Sequence, residues 1–439
     1  MDKRVLMVSP HFPPDTSAGA HRVRLLAPHL PGYWWEPTVV TVDPRSYESR
    51  LDPGLADLVP ASLRVIRCRA WPTRWTRTLG IGDLGARAFS GIRRACVKLL
   101  QQERFDVLFI TTYPIYPALL GPILRRRFGI PFVLDYQDPW VGAWGQTVGG
   151  GRDGRPDLKS RLSRALAMTI EPRVVGAAAA ITAVSELTYE QIQARYPEIR
   201  NTPCAAIPLG AEAGDFEQLW RRPRPNPYFD PKDGRFHVCY VGTLLPVGLD
   251  TLRAVLSAVG RLRDRRPDLY ETLQLHFFGT SNQRHPEAPL RVLPVAREVG
   301  VADRVTEIAP RIDYLDALMV HTQASAVLLM GSSEPHYTAS KLYPALLSGR
   351  PILAAYHQAS SVVEILGRVA PPPASRLVTY NETEPAGFRV EDLYRALKSL
   401  LEGPSDVRFP QQSRGIDEYS ARHFAGRLAE VLTHVSKRS

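Results

Sequence analysis

One lysine in the stretch ASKLYPALLSGRPILAA, residues 339–355, offers the positive charge that a phosphate group needs. The spacing of its apolar residues predicts a short helix followed by a buried strand. Either Ser340 or Tyr343 is the N-cap, and with Tyr343 the favoured first helical position falls on Pro344. In both cases the free N–H groups of the first turn and the Lys341 ammonium face the same anion. The stretch therefore predicts a phosphate-binding loop.

Two carboxylates stand at the end of another predicted strand, in LDYQDPWVGAW at 134–144. Carboxylates at strand ends often bind hydroxyl groups or transfer protons, which makes Asp135 and Asp138 candidate catalytic residues. The alternative is a structural role, because an aspartate directly before Pro139 is a typical helix start.

A third loop, PHFPPDTSAGAHR at 10–22, follows the first predicted strand. Gly19, after the small residue Ser17, lets the backbone approach a ligand, and the next helix offers its N–H groups to an anion. The spacing is not GxGxxG, so the loop does not indicate a nicotinamide cofactor. A plain tight turn is the alternative.

The elements that position these loops alternate between short apolar runs and amphipathic stretches. Continuous apolar runs of about five residues are typical of parallel strands that are covered on both faces. They occur at 4–9, 37–43, 105–112, 130–136 and 179–185, and again at 236–242, 273–279, 304–310, 324–330 and 350–355. The alternation predicts an α/β protein with doubly wound sheets.

The Pro- and Arg-rich stretch RRPRPNPYFDPKDG, at 221–234, is predicted to be a linker between two domains. We expect a first domain at 1–215 that also receives the C-terminal helix, about 415–439, and a second domain at 216–414. Two such domains would face a central cleft, where small ligands commonly bind.

The composition favours a cytoplasmic protein with an anionic partner. The net charge is +11 and the pI about 9.6, although a compositional bias toward arginine would give the same balance. Residues 1–215 hold 27 Lys and Arg against 20 Asp and Glu, or +7 of that total. The four cysteines lie far apart, as in a reduced protein. The N-terminus does not resemble a signal peptide, and the apolar run at 174–184 is too short to span a bilayer.

The whole chain resembles the bacterial GT-B glycosyltransferases of the large family 4. The resemblance rests on the first β–α unit, on a DYQDPW segment similar to Asp-x-Arg-Asp-x-Trp, and on CYVGTLLPVGLDTLRAVL and SKLYPALLSGRPILA in the second half. It implies two Rossmann-like domains and transfer of a sugar, with retention, from a nucleotide-sugar on the second domain to an acceptor on the first.

Specific site residues follow from this resemblance. The implied donor-binding residues are Gly19, Gly242, Thr243, Gly279, Glu334, His336, Ser340, Lys341 and Tyr343. Because the sequence contains no DxD triplet, we expect neither a metal ion nor a cofactor beside the nucleotide-sugar substrate. The implied acceptor is a glycan, a lipid-linked saccharide or a small molecule, in surface polysaccharide synthesis.

The chain departs from the family pattern in the donor loop. Two glutamates found in many relatives fall here on His336 and Pro344, so the carboxylate that binds the ribose is replaced by proline. The usual arginine and lysine fall on Thr243 and Val247. Lys341 is then the remaining cation for the diphosphate.

These departures keep other functions open. A catalytically inactive GT-B scaffold that binds nucleotide or glycan is one alternative, and a non-hydrolysing epimerase of the same architecture is a second. Four tryptophans lie close to clusters of arginine: Trp71, Trp75, Trp140 and Trp144. The clusters are RAWPTRWTR at 69–77, RRR at 125–127 and GRDGRPDLKSRLSR at 151–164. They predict a peripheral contact with anionic membrane, with a solvated basic face as the alternative. We find no motif that reads nucleic acid.

Overall fold

The structure is a computed structural model that describes residues 3–48, 50–141, 158–281, 287–332, 340–404, 407–409 and 415–437. The chain divides into two compact units, Met1–Leu209 with Ala421–Ser439, and Gly210–Ser420. The sequence prediction placed these boundaries at 215 and about 415. No helix in the described ranges is long and apolar enough to cross a bilayer.

The described part of the first unit forms a seven-stranded sheet in which all neighbouring strands are parallel. Its strands are β1 (Lys3–Val8), β2 (Trp35–Val42), β3 (Arg64–Cys68), β4 (Val107–Thr111), β5 (Phe132–Tyr136), β6 (Ala180–Ala183) and β7 (Cys204–Ala206). Their order in space is β3-β2-β1-β4-β5-β6-β7. The direction of winding therefore reverses between β1 and β4, which is where ligands bind in such sheets.

Helices cover both faces of this sheet, as parallel strands require. They are α1 (Ala20–Leu26), α2 (Pro53–Asp57), α3 (Thr73–Thr76), α4 (Leu84–Gln102), α5 (Leu120–Phe128), α6 (Leu158–Ala177) and α7 (Glu186–Arg195). The last helix of the chain, which we call α16 (Ala421–Lys437), belongs to the same unit and packs against α1. Polar contacts also hold it: Lys3 donates to Ser436 at 2.8 Å, and the Trp35 indole donates to Thr433 at 3.2 Å.

The second unit contains a parallel sheet of six strands within its described residues. They are β8 (Phe236–Val241), β9 (Leu273–Phe278), β10 (Val305–Ile308), β11 (Ala326–Met330), β12 (Ile352–His357) and β13 (Ser375–Tyr380). Their order is β10-β9-β8-β11-β12-β13, so the winding reverses between β8 and β11. The two-sheet GT-B architecture predicted from the sequence is thus confirmed.

The helices of the second unit complete its layers. They are α8 (Ala213–Arg221), α9 (Leu249–Arg265), α10 (Pro267–Thr272), α11 (Leu293–Val299), α12 (Tyr314–Gln323), α13 (Leu342–Leu347), α14 (Ser361–Val369) and α15 (Val390–Leu401). Apolar residues of α9 and α15 join those of the strands in one buried core.

The stretch at 221–234 is not a free linker. Tyr228 packs edge-on against Phe278 with ring centroids 5.1 Å apart, and Phe229 stacks on His237 at 4.6 Å. Asp233 accepts a hydrogen bond from the same histidine at 2.9 Å. The prolines set turns here, but the aromatic residues between them bury apolar surface against the second unit.

Candidate functional site

The reversal point of each sheet brings together loops that are far apart in the sequence. In the second unit these are the loop after β8 and the start of α13. In the first unit they are the loops after β1 and β4.

The loop after β8 and the start of α13 meet through Gly242 and Lys341. A Cβ atom at Gly242 would lie 2.2 Å from Cε of Lys341. The glycine also has a φ of 135°, a backbone conformation that residues with a side chain rarely adopt. Glycine therefore leaves room for the lysine side chain across the end of the strand. The Lys341 Nζ donates to the hydroxyl of Tyr240 at 2.6 Å and to the carbonyl of Thr243 at 2.8 Å.

The Lys341 ammonium is held in a place that disfavours its charge. Desolvation, together with the smaller effect of the positive charge of Arg311, lowers the pKa of Lys341 to about 7. The ammonium also lies 4.6 Å from the centre of the Tyr240 ring, whose face attracts cations. Two cationic side chains thus approach each other at one edge of the sheet, an arrangement that an anion would stabilise.

Helix α13 differs from the sequence prediction at its start. Neither Ser340 nor Tyr343 is the N-cap: Lys341 occupies that position without a side-chain capping bond, and Ser340 is exposed. Pro344 does lie in the first turn, where a missing N–H costs little. Because α13 has only six residues, its dipole is short, and the side-chain cations are the stronger feature of this edge.

Of the other predicted donor residues, Gly279 lies at the same edge of the sheet, whereas Tyr343 is buried. Gly279 follows β9 with a φ of 68°, and its Cβ position lies 3.7 Å from Cα of Arg311, so it borders the same edge. Tyr343 is only 2% exposed, and its hydroxyl forms no hydrogen bond with the residues that the structure describes, so the structure does not present it to a ligand. Glu334 and His336 lie outside the described residues.

In the first unit, Asp135 is a structural residue. Its side chain is fully buried and accepts two bonds from Arg22, which is equally buried, at 2.8 and 2.6 Å. Thr182 donates to the same carboxylate at 2.7 Å. The Arg22 guanidinium also donates to the carbonyl of Ile207 at 2.5 Å. With both oxygens engaged and no access to solvent, Asp135 of β5 binds α1 and β6 rather than a substrate, which corrects the sequence expectation.

Asp138 lies three positions beyond and is exposed. Enough protein surrounds its carboxyl that desolvation raises the pKa of Asp138 above its ordinary value. Trp140, which the sequence analysis grouped with interfacial tryptophans, is buried in the core of the first unit at 3% exposure. Trp144 lies outside the described residues. Asp138 therefore remains the carboxylate of this pair that a substrate can reach.

Gly19 has a packing role that the sequence did not indicate. It is buried in a right-handed helical conformation before α1, and a Cβ there would lie 2.6 Å from the ring of Tyr113. The glycine thus allows close contact between the loop after β1 and the loop after β4. Contact with a ligand from the second unit, which the resemblance implies, stays a prediction.

The sequence analysis missed His11. Its Nδ1 lies 2.5 Å from a carboxylate oxygen of Asp15, and Ser17 donates to the same oxygen at 2.5 Å. The ring stacks near Tyr47, with centroids 6.1 Å apart, and near Tyr113 at 5.4 Å. The only signal in the sequence was a histidine four positions before an aspartate after the first strand, which without the fold is weak.

Comparison with known proteins supports the fold and matches part of the chain to a family model. Residues 17–210 match the model of the Glycosyl transferase 4-like domain. Among solved structures, a glycosyltransferase from Rickettsia africae is 12% identical over 100% of both chains, with a TM-score of 0.58. HepE from Anabaena in complex with UDP-glucose is 14% identical over 98% of this chain and 99% of that chain, with a TM-score of 0.59.

One similar structure is that of an enzyme with a different activity, so the fold alone does not identify the reaction. A UDP-GlcNAc 2-epimerase from Methanocaldococcus jannaschii is 12% identical over 98% of this chain and 99% of that chain, with a TM-score of 0.50. No curated protein matches the sequence. The comparisons thus show the GT-B fold for the whole chain and a match to a glycosyl transferase 4-like domain over residues 17–210.

Proposed function

We propose that the protein is a retaining glycosyltransferase that moves a sugar from a nucleotide-sugar to a glycan, lipid-linked or small-molecule acceptor in surface polysaccharide synthesis. The observation that carries the proposal is the position of the Lys341 side chain, which crosses Gly242 at the reversal point of the second sheet. Arg311, which follows β10, adds positive charge near enough to act on Lys341. The family match in the first unit supports the reaction class.

Sugar transfer needs positive charge at one defined place. As the bond from the anomeric carbon to the diphosphate breaks, negative charge grows on the leaving oxygen, and fixed cations there stabilise the transition state. Lys341 is well suited because, with a pKa of about 7, it is partly neutral near pH 7 and can take up a proton when a phosphate group binds. Its contacts with Tyr240 and Thr243 fix the direction of the ammonium before the donor binds.

We propose that neither a metal ion nor a cofactor takes part. Lys341 and Arg311 supply the charge that Mg²⁺ supplies at many other phosphate sites. Treatment with EDTA should leave nucleotide affinity and turnover unchanged. A loss that added Mg²⁺ restores would contradict this part of the proposal.

On the acceptor side we propose that Asp138 orients the acceptor or the transferred sugar. It is exposed, it follows β5, and its raised pKa reflects partial desolvation. The protein is expected at the cytoplasmic face of a membrane when the acceptor is lipid-linked.

The surface for that membrane contact is the segment around α3. Trp71 and Trp75 are 52% and 56% exposed, and Arg74 stacks on Trp75 at 5.5 Å. Arg125–Arg127 are also exposed, whereas most of Arg152–Arg164 lies outside the described residues. Exposed tryptophan beside arginine favours the interface of anionic lipid, so binding to anionic vesicles should weaken with salt. Equal binding to neutral vesicles would contradict it.

An inactive scaffold is the second candidate. Pro344 stands where relatives place the carboxylate that binds the ribose, and the neighbouring Tyr343 is buried. A scaffold would bind nucleotide without turning it over.

A thermal-shift panel of nucleotides and nucleotide-sugars tests the proposal. Uridine nucleotides come first, because the HepE structure contains UDP-glucose. A ligand present at 100 times its Kd should stabilise the protein by about 2.7 kcal/mol. Stabilisation together with release of UDP from UDP-glucose supports a transferase. Stabilisation without turnover favours the scaffold, and no stabilisation by any nucleotide overturns both.

A further inference from the structure

Two histidines of the second sheet form a buried pair beneath the segment 221–234, which we call the strap. His237 of β8 and His276 of β9 are 2% and 4% exposed, and Nδ1 of the first lies 2.9 Å from Nε2 of the second. The Nε2 atom of His237 lies 2.9 Å from a carboxylate oxygen of Asp233, near the end of the strap. The contacts thus run from a carboxylate that is 33% exposed to a ring in the interior of the unit.

These two contacts determine where the ring protons are. An ionised carboxylate only accepts, so His237 donates from Nε2 to Asp233 and keeps a lone pair on Nδ1. That lone pair accepts the proton on Nε2 of His276. His276 is left with a lone pair on Nδ1, and this buried atom has no hydrogen-bond partner among the described residues. A further proton on the pair therefore places a charge where no partner receives it.

The strap covers the pair with aromatic side chains. Phe229 stacks on both rings, with its centroid 4.6 Å from that of His237 and 4.7 Å from that of His276. Tyr228 packs beside it against Phe278. Four prolines in the strap donate no backbone hydrogen bond, so these side-chain contacts carry much of its attachment to the sheet.

The strands around the pair present neutral side chains to it. Register partners in a sheet share a face, and those of His276 are Cys239 and Thr306. Gln274 donates to Thr306 at 3.3 Å, and Ser325 accepts from the backbone N–H of His237 at 3.1 Å. None of these side chains compensates a charge on the pair.

The charged groups nearby belong to the strap and to the two elements beside it. Arg235, at the start of β8, lies 3.9 Å from Asp233, and Arg224 of the strap forms an ion pair of 2.9 Å with Asp316 of α12. The Tyr228 hydroxyl donates to the same Asp316 at 3.1 Å. These groups are already paired with one another, and Asp233 is the carboxylate that reaches the histidines.

Burial under the strap disfavours the charged form of His276. Desolvation, and after it repulsion from His237, lower the pKa of His276 to about 4, although Asp233 acts in the opposite direction. A histidine in water has a pKa of about 6.5. The ring therefore binds a proton more readily when the strap is lifted, so a falling pH favours the lifted state. The covered state is fully favoured above about pH 6.5 and loses about tenfold per pH unit from there down to about pH 4.

We propose that His237 and His276 form an acid-sensitive clamp, which holds the strap on the second sheet while both rings are neutral and releases it when the pair takes up one proton. The proton comes from solvent, and in the lifted state water solvates the imidazolium. His237 lies at the start of β8, whereas Gly242 and Lys341 meet beyond its other end. The clamp is thus separate from the proposed donor site and does not depend on the proposed function.

Hydrogen exchange of the full chain at pH 7 and pH 5, corrected for the intrinsic exchange rates, tests the clamp without a ligand. In the parent, the protection of residues 226–235 should fall by about 20-fold between these two values, while β12 keeps its protection. In His276→Gln, the amide still donates to His237 but binds no proton, so protection of the strap should not change with pH. The matched control is His434→Gln, at an exposed position of α16, which should behave as the parent does.

Nitrogen NMR of the parent gives a second readout, which also serves if His276→Gln does not fold. Both rings should be protonated on Nε2 at pH 7, and His276 should stay neutral down to about pH 5. Either an Nδ1–H proton on His276 at pH 7 or a ring that is charged at pH 5.5 would overturn the clamp.

Three exchange results would also overturn it. The first is protection of the strap that is equal at pH 7 and pH 5 in the parent. The second is the same loss in His276→Gln as in the parent, which would assign the effect to other groups. The third is a loss in the strap and in β12 together, which would be general acid unfolding rather than release of one segment.

Discussion

The two sheets share one topology, yet the loops at their reversal points carry opposite chemistry. The first places a histidine and a carboxylate there, with His11 bound to Asp15 at 2.5 Å, and Asp138 is exposed after the neighbouring strand β5. The second places cations there, with Lys341 across Gly242 and beside Arg311. The winding of a sheet thus determines where a site forms, and the residues of the loops determine which group it handles.

The two regions also differ in how they treat buried charge. Arg22 and Asp135 neutralise each other with bidentate geometry inside the first unit. Within the described residues, Lys341 donates hydrogen bonds to neutral groups, and the charged group that acts on its pKa is another cation, Arg311. A satisfied pair stabilises a fold, whereas an unsatisfied cation is suited to an incoming anion.

The largest expected effect comes from Arg22→Ala. This variant leaves Asp135 buried without its partner, and such a loss typically costs about 3–5 kcal/mol. Urea denaturation of the purified variant measures the change. Arg126→Ala, at an exposed position of α5, is the control and should alter stability little. An Arg22→Ala protein as stable as the parent would contradict the structural role of Asp135.

Next in size is the effect of Lys341→Met on nucleotide binding. Losing a charge-assisted contact costs about 1.5–3 kcal/mol, so UDP should bind roughly ten- to a hundredfold more weakly. Because no buried partner charge is left behind, the variant should fold as well as the parent. Lys232→Met, an exposed lysine of the same unit, is the control for calorimetric titration. Parent-like affinity would place the donor elsewhere.

A smaller change is expected from Asp138→Asn. The substitution keeps the size of the side chain but removes its charge and its ability to accept a proton. Turnover should fall by about tenfold or more. The Kd for UDP should not change, because Asp138 belongs to the first unit and the proposed donor-binding residues belong to the second. Steady-state kinetics and calorimetry on one preparation separate the two quantities. Full turnover would exclude Asp138 from the mechanism.

The smallest effect belongs to Pro344→Glu. Glutamate in the first turn of α13 is favourable for a helix, so the thermal midpoint should change by only a few degrees. UDP affinity should rise or stay the same, since the change restores a carboxylate to the position that relatives use for ribose. A weaker affinity would show that the donor loop here binds ribose in another way.

The sequence predicted the fold well where apolar runs were continuous. The buried strands β1, β4, β5 and β8 were all anticipated, because strands covered on both faces leave an unbroken signal. The edge strands β3 and β13 were missed because about half or more of their residues are only partly buried or exposed, so that neither contains a continuous apolar run. Short amphipathic strands resemble loops until their partners are known.

The site was predicted only in part. Lys341 was identified because a basic residue before a helix has a local signature, and Gly242 because the family motif contains it. Its contact with Lys341 depends on packing between segments about a hundred residues apart. The burial of Asp135 could not be predicted for the same reason, since Arg22 lies 113 positions away. His11 was missed because its meaning depends on the rings of Tyr47 and Tyr113.

The central claim is that the cation at the edge of the second sheet binds the donor diphosphate, and proton uptake tests it most directly. With a pKa of about 7, Lys341 is mostly neutral at pH 8, and a bound diphosphate should raise this pKa and restore the charge. Affinity should therefore be greatest below pH 7 and decline as the pH rises through that value. Calorimetry of UDP-glucose binding at pH 8, in buffers of different ionisation enthalpy, should show uptake of about one proton per nucleotide in the parent and none in Lys341→Met. Binding without proton uptake in the parent, or equal uptake in the variant, would contradict the claim.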